Sequence, residues 1–318
     1  MSNIEAGGVT AKRTKRMLLA AVMAAGIAGA AQARDSVFDG ADPSAMVVDD
    51  TVYLYPTHDG ETLSAWASDD LEHWRREGPL LDIADIDWID DDGARFHALW
   101  APDMVAANGK YFFYYAVGPQ NPTPSRIGVA ICDTPTGPCR DSGKPLVGGG
   151  DGFEAIDPMV YVDPASGRRL LYAGGSAGST LRLWELADDM VTVARRVPVN
   201  QPPHFTEGAF MHRRDGRYYL SYSHGRYNDA SYQVHYATAD SPTGPWRYQG
   251  VLLKSDDRYK GPGHHAFFKS PIDGRWWIAY HRWEDKDDDG PYRGSRRVVV
   301  QPIEYDAAGR ITPVDMER

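Results

Sequence analysis

Apolar and polar positions along most of the chain fall into short paired runs. Stretches rich in Val, Tyr, Phe and Trp flank tight turns such as Asn108-Gly109, Asp215-Gly216 and Asp273-Gly274, and that combination predicts β-hairpins. The hairpins repeat. ADPSAMVVDDTVYLYPTHD begins at Ala41, and WAPDMVAANGKYFFYYAVG begins at Trp100 with the same order of acid, apolar strand, turn and aromatic strand. The order returns in AIDPMVYVDPASGRRLLYAGG from Ala155, TEGAFMHRRDGRYYLSYSHG from Thr206 and GHHAFFKSPIDGRWWIAYHRW from Gly263.

Outer strands follow in related form. IGVAICDTPTGPCRDSGKPLV after the second copy matches VHYATADSPTGPWRYQGVLL after the fourth, and ASDDLEHWRREGPLL takes that place after the first. Units of about four short strands, starting roughly 50 to 60 residues apart, have the period of a propeller blade. The expected fold is therefore all-β, a five-bladed β-propeller over residues 34–318, read as one domain because no composition shift or linker divides it. A two-sheet sandwich would not explain a hairpin that returns five times. No convincing amphipathic helix interrupts the pattern, since ADDMVTVARRV from Ala187 is short and β-branched.

One apolar run has a different character. Lys12, Arg13, Lys15 and Arg16 precede Met17 to Ala31, and Ala31-Gln32-Ala33 follows. This is the layout of a secretory signal over residues 1–33, and the Ala- and Gly-rich run is shorter than the roughly 20 apolar residues a membrane span needs. The expected location is secreted or periplasmic, with no membrane association after cleavage. Removing four basic side chains and Glu5 takes the net charge from -10 to -13. Such a surface repels nucleic acid and suits a neutral polysaccharide better. In an oxidising compartment the two cysteines, Cys132 and Cys139, are expected to pair across a short loop.

In a propeller the innermost strands line a central channel, so the residues opening the copies should converge near one end of it. Those residues are Asp42, Asp103, Asp157, Glu207 and His264. Carboxylates gathered at one place push their pKa values apart, which lets one acid stay protonated while another ionises, and glycoside hydrolysis needs such a pair. An isolated Asp before Pro is usually a turn former. Glu207, before Gly-Ala-Phe and without a basic neighbour in sequence, is a poor structural device and a better catalytic acid.

With these motifs in order, Asp42-Pro43, Trp100-Ala101-Pro102-Asp103, Ile156-Asp157-Pro158, Thr206-Glu207-Gly208 and Gly263-His264, the chain resembles glycoside hydrolase family 43 over residues 38–318. The resemblance implies an inverting hydrolase of arabinose- or xylose-containing saccharides, with Asp42 as general base, Glu207 as general acid, and Asp157 orienting Glu207 and raising its pKa. It also implies a calcium ion at the channel centre near His264, and an arginine, Arg296 or its neighbour Arg297, reaching the sugar. Of the aromatics Trp100, Trp88 and Phe96, only Trp100 is expected to bind substrate, because buried packing is the commoner fate of aromatics beside strands. Asp103 stands outside the implied trio, as a hydrogen-bonding acid near the substrate or in the frame.

The loops 82–97 and 285–294 are long enough to wall a pocket, and the acidic runs Asp90 to Asp92 and Asp287 to Asp289 read as solvated loop. The expected activity is an α-L-arabinofuranosidase. The competing activities are endo-arabinanase, β-xylosidase and 1,3-β-galactosidase, and a propeller that only binds carbohydrate is the alternative from another class.

Overall fold

The computed structural model describes residues 35–176 and 178–317. The expected signal at 1–33 therefore lies outside the described residues. Five antiparallel sheets form the five expected blades among them. The first runs outward through Ala41–Val48, Thr51–Thr57, Thr62–Ser68 and Arg75–Asp82. The second runs through Leu99–Ala107, Lys110–Val117 and Arg126–Cys132, with Cys139–Asp141 and Val147–Gly148 both paired to that third strand. Met159–Val162, Arg169–Ala173, Arg182–Leu186 and Val193–Val197 make the third, and Glu207–Arg214, Arg217–His224, Gln233–Ala239 and Arg247–Leu253 the fourth.

The fifth blade takes Lys260–Lys269, Trp276–Trp283 and Arg297–Pro302 from its own repeat, but its outermost strand is Phe38–Asp39, from ahead of the first copy. Phe38 pairs with Val298 and Asp39 with Arg297, so the two ends of the described chain are laced into one sheet.

Each blade is sandwiched between two others, so both of its faces must be apolar. Phe112 and Tyr114 pack on Val160 and Leu171 of the third blade, whereas Phe113 and Tyr115 pack on Tyr55 and Leu63 of the first. That is why the sequence reads Phe-Phe-Tyr-Tyr without a polar alternation. Equivalent clusters fill the contacts between blades three and four, four and five, and five and one. Three tyrosines at matching positions also reach across. Tyr55 donates to the Pro135 carbonyl, Tyr114 to Met190 and Tyr172 to Pro242, each in the next blade, which satisfies hydroxyls that burial would otherwise leave stranded. The Cys132–Cys139 disulfide is formed and joins two strands of the second blade.

The innermost strands share a kink. Asp42, Ala101, Asp157, Gly208 and His264 all have positive φ, between 38° and 61°, a conformation that takes a residue out of the strand ladder. Pairing slips across this point between Ala41 and Ser44, Trp100 and Asp103, Glu207 and Phe210, and Gly263 and Ala266. In four blades the freed N–H finds a side chain of the preceding blade. Asp42 N–H donates to His281 Nδ1, Ala101 N–H to Thr57 Oγ1, Gly208 N–H to Asp157 Oδ2 and His264 N–H to Ser223 Oγ.

This kink corrects the sequence register. The acids open the copies in sequence without being equivalent, and the counterparts of Asp42 and Asp157 are Ala101 and Gly208. Glu207 stands one residue earlier, level with Trp100, and Asp103 two residues later.

Candidate active site

The side chains of three of the kinked residues, Asp42, Asp157 and His264, turn to one place. His264 Nδ1 lies 3.5 Å from Asp42 Oδ1 and 3.6 Å from Asp157 Oδ2. Asp42 also receives Arg296 Nη1 at 2.9 Å and stands 3.4 Å from His281 Nδ1. His281 Nδ1 also accepts the Asp42 N–H at 3.0 Å, and its Nε2 faces Arg296 Nη1 at 3.5 Å. Arg297 points elsewhere and pairs with Asp39. Of the two candidate arginines, Arg296 is the one at the carboxylate.

The two aspartates sit in opposite electrostatic states. Burial works against ionisation of Asp42, yet Arg296, then His264 and His281, with the Thr57 hydroxyl, hold its carboxyl well below the usual range. Both imidazoles are themselves driven toward neutrality, His264 by burial and His281 by burial and Arg296. At neutral pH the guanidinium is thus the charge that acts on Asp42. Asp157 is pushed well above the usual range by burial and then by Glu207 and Asp42. A proton held on Asp157 relieves the repulsion among three carboxyl groups.

Glu207, one residue before its kink, is held by other elements. Tyr232 Oη donates to Oε1 at 2.8 Å, and Ser176 donates to Oε2 through its backbone N–H at 3.2 Å and its hydroxyl at 3.0 Å. Two openings meet here. One, of about 330 Å³, is lined by Asp42, Trp100, Gln120, Ile156, Asp157, Ser176, Tyr227 and Arg296. The other, of about 540 Å³, takes Glu207 with Thr206, Ser179, His224, Arg226 and Asn228, and shares Ser176 and Tyr227 with the first.

Trp100 lines the first opening, its ring laid so flat on Gly118 that any Cβ there would come within 2.0 Å of it. Trp88 does not; it is buried, donates to Asp141 Oδ2 at 2.9 Å and stacks on Tyr115. Phe96 is 65% exposed and lines neither opening. Asp103 is also outside both. It is buried, its Oδ2 accepts the Val160 N–H of the third blade at 2.7 Å, and burial raises it to about 7.

Neither opening draws a lining residue from 82–97 or 285–294. The walls come instead from the turns after the second strands of blades two, three and four, which carry Gln120, Ser176 and Tyr227. Asp92, expected to be solvated, is only 14% exposed and pairs with Arg126 at 2.6 Å and His97 at 2.9 Å. Sequence reasoning passed over Tyr232, His281, Ser176 and Tyr227. His281 sits in the quoted fifth copy, where its level with Thr57 and Ser223 was the readable sign; Tyr232, ahead of a third strand, carried none.

Calcium takes six to eight oxygen ligands. No three or more His, Cys, Asp or Glu groups among the described residues are arranged as ligands, and the carboxylates nearest His264 are already engaged by Arg296 and the Gly208 N–H. The residues present fit an ion that keeps most of its water and meets His264 at its edge. They do not fit a caged one.

The chain matches glycosyl hydrolases family 43 over residues 36–311. A β-D-galactofuranosidase of Aspergillus niger is 33% identical over 307 residues, covering 90% of this chain and 86% of the relative. A xylosidase/arabinosidase of Bacteroides ovatus is 29% identical, with 86% and 94% covered. Among solved structures, a β-xylosidase/α-arabinofuranosidase from a compost microbial metagenome, in complex with xylotriose and described as a calcium-free form, superposes with a TM-score of 0.70 at 26% identity. That superposition covers 89% of this chain and 97% of the other.

Proposed function

The chain belongs to glycosyl hydrolases family 43 and is a glycosidase acting on O-glycosyl bonds, and on that premise we propose that it removes single α-L-arabinofuranosyl units from plant cell-wall saccharides with inversion. The observation that carries this reading is the meeting of the two openings. Asp42 lies in the smaller, Glu207 in the larger, and Ser176 and Tyr227 border both. A glycosidic bond lying across that border has the base on the departing sugar's side and the acid on the leaving oxygen's side.

In this reading the sugar occupies the 330 Å³ opening, near the lower end of ligand pockets in size and suited to one ring rather than a chain. Arg296 keeps Asp42 ionised and Trp100 offers the ring a face. Asp42 takes a proton from water as that water bonds to the anomeric carbon. The carbon–oxygen bond breaks with its electron pair left on the departing oxygen, and Glu207 supplies the proton that neutralises it. Asp157, protonated and bonded to the Gly208 N–H next to Glu207, fixes the strand that carries the acid.

The relative named a β-D-galactofuranosidase favours a second reading in which another five-membered sugar ring fills the same opening. A calcium ion on the channel axis, mostly hydrated and beside His264, belongs to the same proposal, as does export of the mature chain, with which the disulfide agrees. A panel of aryl α-L-arabinofuranoside, β-D-xyloside and β-D-galactofuranoside, with polymeric arabinan, tests the reading on wild type and Glu207→Gln. Arabinose as the sole early product supports it. No turnover of any substrate, or undiminished turnover in Glu207→Gln, overturns it.

A further inference from the structure

Tyr232 is wholly buried and comes from none of the innermost strands, yet it touches both halves of the site. Its hydroxyl donates to Glu207 Oε1 at 2.8 Å. Its ring fills the space that Gly263 leaves open, where any Cβ would come within 2.0 Å of it. The ring also stacks on His281 at 5.8 Å and 8°, and His281 in turn holds the Asp42 N–H. One rigid aromatic plate therefore spans from the acid in blade four to the backbone of the base in blade one.

Tyr232 also meets Ser223, whose Oγ accepts the His264 N–H at 2.9 Å and is free to turn its own proton to Tyr232 Oη. Burial and the neighbouring carboxylates keep Tyr232 protonated. With Ser223 donating to Oη, the phenolic proton has Glu207 Oε1 as its acceptor. A neutral carboxyl carries one proton, and an oxygen already accepting a hydroxyl is the poorer place for it. The other oxygen, Oε2, takes only the longer 3.2 Å bond from the Ser176 backbone N–H, against 2.8 Å from Tyr232 at Oε1, and the Ser176 hydroxyl beside it can turn to accept; Ser176 lines both openings.

We propose that Tyr232 is a positioning residue that confines the proton of Glu207 to Oε2, on the Ser176 side where the two openings meet, and ties the acid to the base through His281. The proposal rests on Glu207 being the general acid. Its consequence concerns only the step in which that proton passes to the departing oxygen as the glycosidic bond breaks. The stacked ring and the packing on Gly263 do not depend on the hydroxyl, so Tyr232→Phe separates proton placement from structure.

The test compares Tyr232→Phe with wild type on an unactivated alkyl glycoside and on a 2,4-dinitrophenyl glycoside, whose leaving group needs no proton. On the alkyl glycoside kcat is expected to fall by about tenfold or more with KM changed less than about twofold, and the loss on the dinitrophenyl substrate to be about tenfold smaller. Equal losses on the two substrates, or no loss on either, would overturn the proposal.

Glu207→Gln in the same series separates the two readings. If it too lacks leaving-group dependence, the assignment of Glu207 as acid fails; if only Tyr232→Phe lacks it, the role of Tyr232 fails. Should Tyr232→Phe not fold, Ser223→Ala decides. It is expected to show the same selective loss in smaller measure, and a uniform loss would count against the proposal.

Discussion

Gly175 and Glu207 are packed in direct contact. A methyl group on Gly175 would come within 2.3 Å of Glu207 Cβ and 3.0 Å of its Cα, and the next residue, Ser176, holds Oε2. The clash reaches backbone as well as side chain, so the turn or the strand must move. Gly175→Ala is expected to lower kcat by on the order of a hundredfold through displacement of the acid, and to cost about 1–3 kcal/mol of stability from overpacking. Steady-state kinetics beside a thermal melt checks both. An unchanged kcat would mean that the position of Glu207 is not critical.

Arg296 sets the charge of Asp42, so it also sets the acidic limb of the pH profile. A carboxyl depressed in the folded state contributes stability above its unfolded value of about 3.9 and loses it as pH falls through the folded value. The catalytic counterpart is a base that stays ionised in mild acid. Replacing the guanidinium, as in Arg296→Met, should move the acidic limb of kcat/KM upward by about one unit or more. A limb that stays in place would show that another group controls Asp42.

The repeat was legible because each copy pairs a β-rich run with a turn such as Asn108-Gly109, and because burial on both faces leaves runs like Phe112 to Tyr115 unbroken by polar residues. Three of the five kinked residues, Asp42, Ala101 and Asp157, precede a proline. That shared Pro, rather than the shared acid, was the guide to register. Alignment by acid puts Asp103 and Glu207 level with Asp42, whereas the backbone puts neither there.

The outer strand of the fifth blade could not have been read, because Phe38–Asp39 is two residues long and pairs with a segment more than two hundred residues away. Tyr232 was hidden for a related reason. Its value lies in contacts with Gly263, His281 and Glu207, all distant in sequence.

The disulfide is a local staple away from both openings. It joins residues seven apart in sequence, Cys132 and Cys139, and closing so short a loop in the unfolded chain is worth roughly 2 kcal/mol. Reduction, or Cys132→Ser with Cys139→Ser, should therefore lower Tm by a few degrees and leave KM unchanged. A thermal melt with and without reductant, paired with kinetics below the transition, measures the two effects separately. A change in KM would show that the second blade transmits strain to Trp100.

Asp103 ties two blades together. Its Oδ2 accepts the Val160 N–H at 2.7 Å, and burial raises its carboxyl from 3.8 to about 7. Between those values the folded protein binds a proton that the unfolded chain has already released. Stability from this group is thus fully present in acid and is lost as pH rises through about 7. Three units at 1.36 kcal/mol each put an upper bound of about 4 kcal/mol on the loss.

Asparagine reproduces the neutral acid's accepting oxygen and donating side without a titration. Asp103→Asn should therefore flatten the fall in Tm from mild acid to neutrality and above, make the protein more stable than wild type at alkaline pH, and leave kcat and KM within about twofold. The measurement is Tm against pH for both proteins, with kinetics at one neutral pH. A large rise in KM with the Tm profile unaltered would instead put Asp103 against the sugar, and the role of joining blades two and three would fall to the apolar packing alone.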